Sequence, residues 1–511
     1  MGKLTTFSKF LITLVIVGGG GFLLYYLANN TDILNKIAPK QKGSQDIPEN
    51  AFGEDKVIKV GVVTWGGYAG GEYFNGGFKA SKESRFYKEN GVLVEFVLND
   101  DFVSSREAWK AGKVDVLWTT IDAFPTEVAS LSEYEPQVIL QADWSRGGDA
   151  IVVRRGINTV ADLKGKKVAV APMTPSHTFL LWLLDAGDLK YSDIQVVEAP
   201  NAIDAAAYFK AGKVDAAVVW SPDDQDCVTN VKGASILKNT KTASNIIADV
   251  FFTKKKFLEE NEQALKGLVE GWLKGSAEIN SYESAKKEAA KILSVGLNVS
   301  EDFAFNAINN ARLCTYGDEV NFFNLNGDYA GVKGEDLYTK MGVIYNKLNY
   351  APATIPAWRS IANPSLIKQI SLQGEQHLAE GKKEFSPVTK DEAQASAFST
   401  KAVTITFATG SAVLDENAKY IIDMKLSDLA KMFGNARIRI EGNTDNVGDT
   451  KKNKELSLKR AQAVADHLQK EYGFSENRFV IVGNGSDKPV ADNASDEGKA
   501  KNRRTEFQLL N

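Results

Sequence analysis

Short runs rich in β-branched residues alternate with longer stretches of helical hydrophobic spacing from residue 56 onward. Each run has the length of a strand, and each intervening stretch is long enough to cross back over a sheet as a helix. This alternation predicts an α/β fold with parallel sheets that carry helices on both faces. The predicted strands are VIKVGVVTW (57–65), VLVEFVL (92–98), VDVLWTT (114–120), AIVVRR (150–155), KVAVAP (167–172), IQVVEAP (194–200) and VDAAVVW (214–220).

An internal repeat divides this part of the chain in two. The segment AWKAGKVDVLW (108–118) resembles YFKAGKVDAAVVW (208–220), and AGKVD recurs after one hundred residues. Each copy reads as the end of a helix, a glycine stop at Gly112 or Gly212, and then a buried strand. The repeat therefore predicts two similar α/β lobes within one domain.

We expect the two-lobed domain to span residues 56–380, with its second lobe at about 148–248. Helical spacing dominates from about 255 to 380 and completes the first lobe. Residues 381–400 lose apolar periodicity, as is typical of a linker, and a compact α+β unit follows at 401–511. Its predicted strands are 403–408, 437–442, 478–483 and 505–510, and its predicted helices are 415–433 and 453–472.

The first residues predict a membrane anchor. Residues 10–28 are uncharged and long enough to cross a bilayer as a helix, and Lys3 and Lys9 precede them. We assign residues 1–30 to a short cytoplasmic start and a single transmembrane helix, and 31–55 to a polar linker outside the membrane. The alternative is a cleaved signal peptide, because the glycines at 18–21 would end a short apolar core. Both alternatives export the rest of the chain.

Composition excludes some classes of function. The net charge of −4 gives no electrostatic reason for binding nucleic acid. The two cysteines, Cys227 and Cys314, are too few for a disulfide framework. The three histidines do not stand at metal-ligand spacing from cysteines or carboxylates. We therefore expect neither a metal site nor a cofactor.

The C-terminal unit carries a specific set of motifs. The segments FATGSAVLDENA, IRIEGNTDNVGDTKKNKELSLKRAQAVADHL, VGNGSDKP and NRRTEF together resemble the OmpA-like peptidoglycan-binding domain over residues 403–511. The resemblance implies that Asp445 and Arg460 hold the diaminopimelate of the peptide stem. A fixed anion beside a planar cationic fork suits a centre that has both an ammonium and a carboxylate.

The same resemblance assigns Thr444, Asn453 and Arg503 to the peptidoglycan site, where they support the loop or the ligand. One position departs from the family, which commonly has histidine where this chain has Asn443. The alternative is that Asp445 and Arg460 merely form a surface ion pair, which in general contributes little to stability.

The two-lobed domain also carries a resemblance. The segments KVGVVTWGG, WKAGKVDVLWTTIDAF, GGDAIVVRR, INTVADLKGKKVAVAPMTPSHTFL and AGKVDAAVVWSPD are similar to periplasmic solute-binding proteins of ABC importers, in the nitrate/sulfonate/taurine and thiamine-precursor group. This implies a two-lobed, type II-like fold with the ligand between the lobes, where loops leave the carboxyl ends of strands. The candidate ligand-binding residues are Trp65, Gly66, Tyr68, Thr119, Asp122, Thr174, Ser176, His177, Trp220 and Asp223.

These residues leave the ligand chemistry open. Hydroxyls at 174–178 either cap the helix that begins there or contact an anion. Asp122 and Asp223, which stand near tryptophans, favour an amine instead. The tryptophans themselves form either an aromatic wall for a cation or ordinary core packing. An amino-acid-like zwitterion and a small sulfonate each satisfy part of this pattern.

The whole chain then reads as a non-enzymatic solute-binding protein of the periplasm, anchored in the inner membrane and held on peptidoglycan. It would deliver a small molecule to an ABC-type permease or to another multi-span or sensing partner. The first alternative is a structural subunit similar to MotB stators, although those carry an acidic residue in the span, and here Asp32 lies beyond it. The second is a pyrimidine synthase, for which His177 is the only candidate in the right region.

Overall fold

The computed structural model describes residues 57–408 and 410–510. The predicted transmembrane segment (1–30) and polar linker (31–55) lie outside the described residues. Within the described part of the chain, no helix combines the length and the apolar character that crossing a bilayer requires.

Fifteen strands of the described residues assemble into three sheets, two in the N-terminal part and one in the C-terminal part. The strands are β1 (Val57–Val62), β2 (Leu93–Leu98), β3 (Val116–Thr120), β4 (Pro136–Ser145), β5 (Asp149–Val153), β6 (Lys167–Val170), β7 (Gln195–Glu198), β8 (Ala216–Trp220), β9 (Ser235–Asn239), β10 (Ala248–Lys254), β11 (Ala311–Leu313), β12 (Ala397–Val403), β13 (Arg437–Asn443), β14 (Phe479–Gly485) and β15 (Thr505–Leu510).

Helices connect the strands, and a long run of helices separates β10 from β12 along the chain. The α-helices of the described residues are α1 (Ala69–Asn75), α2 (Arg85–Asn90), α3 (Phe102–Lys110), α4 (Pro175–Ala186), α5 (Ala202–Lys210), α6 (Asp223–Asn230), α7 (Lys255–Glu260), α8 (Glu262–Ser281), α9 (Glu283–Leu297), α10 (Glu301–Asn309), α11 (Tyr316–Phe322), α12 (Gly334–Lys347), α13 (Trp358–Ile361), α14 (Ser365–Gln369), α15 (Lys390–Gln394), α16 (Glu416–Ile422), α17 (Asp428–Met432), α18 (Thr450–Tyr472) and α19 (Asp496–Asn502).

The first two sheets share one strand order. The first runs β11-β4-β10-β3-β1-β2 and the second runs β7-β6-β8-β5-β9. In the first sheet β1 lies between β2 and β3, and in the second sheet β6 lies between β7 and β8. The next neighbour, β10 in the first sheet and β5 in the second, is a strand that has just crossed from the other lobe. The prediction of two similar lobes is confirmed.

The prediction of purely parallel sheets is wrong. Strand β10 runs antiparallel to both β3 and β4, and β5 runs antiparallel to β8 and β9. The chain passes between the lobes twice, from β4 to β5 and from β9 to β10. A strand that arrives from the opposite lobe enters the sheet from its other end, and its direction is therefore reversed.

The AGKVD repeat has the same structural role in both lobes. Asp115 accepts a hydrogen bond from the backbone N–H of Lys59 at 2.8 Å, and Asp215 accepts one from Lys167 at 2.9 Å. Asp115 thus ties the start of β3 to β1, and Asp215 ties the start of β8 to β6. The preceding glycines have φ of 72° and 75°, a left-handed conformation that favours glycine.

The C-terminal sheet has the order β12-β15-β13-β14, and α18 packs across β13 and β14. A Cβ at Gly442 would lie 2.1 Å from the carbonyl oxygen of Ser457, so glycine is required for this close approach. The sequence predicted a strand at 403–408, but β12 spans Ala397–Val403. The predicted linker at 381–400 thus contains α15 and the first residues of β12. Strand β12 forms there because it pairs with β15, the last strand of the described chain.

The C-terminal unit packs on one of the two segments that connect the lobes. Asn245, which lies between β9 and β10, donates from its backbone N–H to the carbonyl of Met432 at 3.1 Å and from Nδ2 to that of Lys431 at 3.0 Å. Arg146, which lies between β4 and β5, forms a 2.7 Å ion pair with Glu380. The passage from β9 to β10 is thus bonded to the C-terminal unit, whereas the passage from β4 to β5 is bonded to Glu380 at the end of the two-lobed domain.

Each lobe also has an ion pair with this unit. In the second lobe Asp185 pairs with Lys401 at 2.7 Å, and in the first Lys340 pairs with Asp428 at 2.8 Å. The lysine at 401 is largely buried, with 10% of its side chain exposed, whereas Asp185 is 54% exposed. The C-terminal unit therefore contacts both lobes as well as the segment between β9 and β10.

We expect Asp115→Ala and Asp215→Ala to destabilise the protein by similar amounts. Each change leaves one backbone N–H without its acceptor, which costs about 1 to 2 kcal/mol of the free energy of unfolding. Urea denaturation followed by tryptophan fluorescence measures the loss. The matched control is Glu107→Ala, because its exposed pair with Lys110 contributes about 0 to 1 kcal/mol. Destabilisation by only one of the two changes would contradict the equivalence of the repeats.

Candidate functional sites

A row of polar side chains crosses the neighbouring strands β4, β10 and β3 of the first sheet, at the strand ends that face the second lobe. Asp249 on β10 is the register partner of Thr120 on β3 and also of Asp143 on β4. Directly opposed residues of antiparallel strands project from the same face, with Cβ atoms about 5 Å apart. Thr120, Asp249 and Asp143 therefore stand side by side, and all three are buried.

Two aromatic side chains hold this row from the loop after β1. The hydroxyl of Tyr68 donates to Asp249 Oδ2 at 2.8 Å, and the indole Nε1 of Trp65 donates to Asp143 Oδ2 at 3.0 Å. A Cβ at Gly67 would lie 1.7 Å from Asp143 Oδ2, so only glycine permits the loop to come this close. The loop after β1 is thus shaped around the carboxylates.

Two further carboxylates lie beside this row, one at the start of β5 and one on the segment that follows β3. Asp149, at the start of β5, accepts from the hydroxyl of Ser145 at 2.8 Å. Asp122, which follows β3, accepts a 3.4 Å bond from the backbone N–H of Ala248. Among the described residues, four buried oxygens of this cluster have no hydrogen-bond partner: Asp122 Oδ2, Asp143 Oδ1, Asp149 Oδ1 and Thr120 Oγ1.

Burial governs the charge of these aspartates. Loss of hydration raises the pKa of Asp122 and of Asp149 to about 7. The pKa values of Asp143 and Asp249 are raised by burial and by their repulsion of each other and of Asp149. The cluster is therefore held in protonated or partly protonated form near neutral pH unless a positive charge joins it.

The two lobes approach each other closely beside the cluster. The ring of Phe102 on the first lobe lies 6.1 Å from that of Trp220 on the second. A Cβ at Gly148 would lie 2.0 Å from Cη2 of Trp65, so the indole packs on bare backbone at the passage between β4 and β5. Aromatic faces thus border the carboxylates from both sides of the cleft.

The start of α4 has a different structure from the one expected for an anion site. The hydroxyl of Thr174 donates to the carbonyl of Ala171 at 2.8 Å and does not cap the helix. The imidazole of His177 accepts the backbone N–H of Met173 at Nδ1 (3.2 Å). Burial lowers the pKa of His177 to about 4, so the ring is neutral. The rings that surround it are Tyr191, Tyr345 and Tyr350.

The structure brings together only some of the predicted ligand-binding residues. Trp65, Tyr68 and Asp122 lie at the carboxylate cluster, and Trp220 is the register partner of Asp149. The hydroxyl of Thr119 instead donates to Glu127 at 2.7 Å within the first lobe.

Three more of the predicted residues occupy other surroundings. Gly66 packs on the backbone of Ala307 at the end of α10. The Ser176 hydroxyl is buried without a partner among the described residues, and Asp223 begins α6 as a partly exposed residue.

Asp143, Asp149 and Asp249 were not among the site residues predicted from the sequence. Asp143 and Asp249 each follow an alanine in a predominantly apolar segment, in QADW and IIADVFF. A lone carboxylate in such a strand costs free energy when it is buried, and that cost was the available signal of a functional role. Their proximity was not available from the sequence, because it depends on the pairing of β10 between β3 and β4.

A second candidate site lies in the C-terminal unit, on the loop after β13. The side chain of Asp445 is 14% exposed and forms an ion pair with Arg503, whose Nη1 donates to Oδ2 at 2.7 Å. The backbone N–H of Val447 donates to the other carboxylate oxygen at 3.1 Å. The carboxylate is thereby fixed in one orientation at the surface of the loop.

Arg460 lies on α18 and faces the same loop region. Its Nε donates to the carbonyl of Ser411 at 3.0 Å, and its guanidinium lies 4.8 Å from the centre of the Phe407 ring. Burial lowers the pKa of Arg460, while the charge of Asp445 raises it and that of Arg503 lowers it. Among the described residues, Asp445 pairs with Arg503 and has no ion pair with Arg460.

The loop around Asp445 is braced by the remaining predicted residues. The hydroxyl of Thr444 donates to the carbonyl of Asp445 at 2.8 Å, and Nδ2 of Asn453 donates to that of Val447 at 3.0 Å. Asn443, which replaces the common histidine, is buried and accepts from Nδ2 of Asn484 at 3.1 Å. The replacement therefore serves a hydrogen bond inside the fold.

Comparison with known proteins identifies both parts of the chain. Residues 76–282 match the NMT1/THI5 like family, and residues 406–503 match the OmpA family. The resemblances drawn from the sequence motifs are thereby confirmed. The chain combines an NMT1/THI5-like domain with a C-terminal OmpA domain.

Curated relatives match one part each. The peptidoglycan-binding protein ArfA of Mycobacterium tuberculosis is 44% identical over 90 residues, which are 18% of this chain and 27% of ArfA. The taurine-binding periplasmic protein of Escherichia coli is 28% identical over 193 residues, 37% of this chain and 58% of that protein. The chain thus spans about a quarter of the first relative and less than two thirds of the second.

Among solved structures, the periplasmic aliphatic sulphonate-binding protein SsuA from Escherichia coli aligns with a TM-score of 0.46 and 19% sequence identity. The alignment covers 60% of this chain and 97% of SsuA.

The carboxylate cluster predicts a loss of stability with rising pH. Aspartates with folded pKa values of about 7 hold protons that the unfolded chain, with values near 3.9, releases. The free energy of unfolding should therefore fall between pH 5 and 8, by up to about 1.4 kcal/mol per pH unit for each titrating group. His177, with its lowered pKa, acts in the opposite direction below pH 6.5, so pH 6.5 to 8.5 is the informative window.

Thermal unfolding of the wild type and of Asp143→Asn across that window tests this prediction. The variant should show the smaller decline, since it removes one of the mutually repelling carboxylates. Parallel pH profiles for the two proteins would contradict it.

Proposed function

We propose that this protein is a periplasmic solute-binding protein that is held on peptidoglycan by its C-terminal domain. The observation that carries the proposal is the cleft between the lobes, where buried polar atoms without partners lie beside the two passages of the chain. Buried polar groups are normally hydrogen-bonded, so these oxygens are available to accept hydrogen bonds from a bound molecule. Closure of two lobes about such passages is a common way to enclose a small molecule.

The C-terminal domain supports attachment to the cell wall. Asp445 presents a fixed carboxylate. The guanidinium groups of Arg460 and Arg503 lie close enough to this carboxylate and to each other to interact electrostatically. This arrangement suits the zwitterionic centre of diaminopimelate, with the carboxylate for the ammonium and a guanidinium for the carboxylate. ArfA, which aligns with this domain, is named a peptidoglycan-binding protein.

We further propose that residues 1–30 anchor the chain in the inner membrane with its N-terminus in the cytoplasm. Lys3 and Lys9 precede an uncharged segment of sufficient length, which supports this orientation. With 31–55 as a tether, 56–380 as the solute-binding domain and 401–511 as the wall domain, the cleft would be held between membrane and wall. That position favours local delivery to an ABC-type permease or to a sensing partner in the membrane.

We propose no catalytic role for the cleft. His177 was the only candidate for catalysis, and its ring is neutral, encircled by tyrosines and occupied at Nδ1 by a backbone N–H. A histidine that acts as a base is normally oriented by a carboxylate, whereas this ring contacts a backbone N–H and three tyrosine rings.

Co-sedimentation of the full-length protein with purified sacculi tests wall binding. We expect Asp445→Asn and Arg460→Ala each to weaken binding by roughly 10-fold or more, because each removes a charge-assisted hydrogen bond to the stem residue. The matched controls are Asp466→Asn and Lys459→Ala, which change the same charges at exposed positions of α18. Sedimentation that is unchanged by both Asp445→Asn and Arg460→Ala would refute the assignment of this site.

A further inference from the structure

The cleft carries an excess of buried negative groups. Asp122, Asp143, Asp149 and Asp249 are each at most 6% exposed and lie close enough to act on one another electrostatically. Directly opposed like charges on neighbouring strands destabilise a sheet. A fold that keeps Asp143 opposite Asp249 therefore accepts a cost that a bound positive charge would remove.

The cations near the cluster are already engaged. Arg106 binds Glu127 through two hydrogen bonds of 2.8 and 2.9 Å. Arg146 pairs with Glu380 and donates from Nε to the carbonyl of Ser244 at 2.7 Å. Within residues 57–408 and 410–510, neither of these arginines forms an ion pair with an aspartate of the cluster.

A second observation, independent of the charges, points to a ligand. The hydroxyl of Thr120 is buried, with 2% of the residue exposed, and has no partner in the described part of the chain. Its register partner is Asp249, so it projects from the same face of the sheet into the cluster. A buried hydroxyl that lacks a partner destabilises the fold, and a ligand group at this place would satisfy it.

The spacing of the acceptors argues for an organic ligand. Among the described residues, no three carboxylate, imidazole or thiol groups converge closely enough to bind one metal ion. Thr120 and Asp143 stand two strand spacings apart, which is roughly 9 to 10 Å. Acceptors spread over such a distance suit several N–H donors on one small molecule.

The aromatic residues of the cleft fit the same chemistry. Trp65 and Trp220 stand on the two sides of the cleft, at the loop after β1 and at the end of β8. The faces of such rings attract ammonium and guanidinium groups. A sulfonate or nitrate ion would be repelled by the ionised carboxylates and by the negative faces of the rings.

We propose that the cleft binds a small organic cation with several N–H donors, such as a diamine or a guanidinium compound. This inference rests on the proposed solute-binding function and deepens it. Asp143, Asp249, Asp122 and Asp149 accept the N–H groups, Thr120 adds a neutral acceptor, and the tryptophans border the ligand.

Isothermal titration calorimetry of the full-length protein at pH 8.5 tests the inference, since the aspartates release their protons more readily there. The probes are putrescine, agmatine, choline, ethanesulfonate and nitrate. We expect putrescine or agmatine to bind, and Asp143→Asn and Asp249→Asn each to weaken that binding roughly 10- to 100-fold. Both variants remove a buried charge without changing shape, so their melting temperatures should equal or exceed that of the wild type.

Glu72→Gln is the matched control. Glu72 is also a fully buried carboxylate without a partner in the described residues, but burial alone raises its pKa, with no contribution from the aspartates of the cluster. The control should bind the cation as the wild type does. An equal loss in Glu72→Gln and Asp143→Asn would overturn the assignment of the site.

The other outcomes separate this inference from the proposed function. Binding of ethanesulfonate or nitrate without binding of the amines would overturn the inference and leave solute capture intact. Binding of choline alone would overturn the requirement for N–H donors. If no probe binds, the inference fails and solute capture loses its support, while sedimentation with sacculi still reports separately on the wall domain.

Discussion

The double passage of the chain between the lobes is the constraint on which most of the structure depends. Because β4 continues into β5 and β9 into β10, each lobe contains one strand that enters its sheet in reverse. The reversed strand β10 carries Asp249 between Thr120 and Asp143, and the passage after β4 ends at Asp149. The same two connections thus create both the hinge region and the polar cluster of the cleft.

Burying those aspartates opposes folding, and the fold compensates only in part. Tyr68, Trp65 and Ser145 each donate one hydrogen bond, and protonation removes some of the repulsion. The oxygens that have no partner among the described residues are not compensated in this way. Proteins commonly retain such polar groups where a ligand must be bound, because the ligand then contributes the missing interactions.

The C-terminal domain lies against the two lobes. Asn245 bonds the segment between β9 and β10 to this domain, and ion pairs at Lys401 and Lys340 connect the domain to both lobes. Arg146, on the segment between β4 and β5, pairs instead with Glu380 at the end of the two-lobed domain. These contacts fix the C-terminal domain against the two-lobed domain.

The sequence by itself determined the α/β pattern and the repeated lobes, because periodicity and glycine stops are local, and its contiguous motifs identified the C-terminal domain. The sequence did not show that Asp445 pairs with Arg503 and not with Arg460. It did not determine strand direction, the position of β12 or the neighbours of His177. Only the tertiary structure assembled Asp143, Asp149 and Asp249, since those aspartates lie more than one hundred residues apart at the extremes and meet through strand pairing. Pairing between distant strands is decided by the packing of the whole sheet, and no short segment of sequence records it.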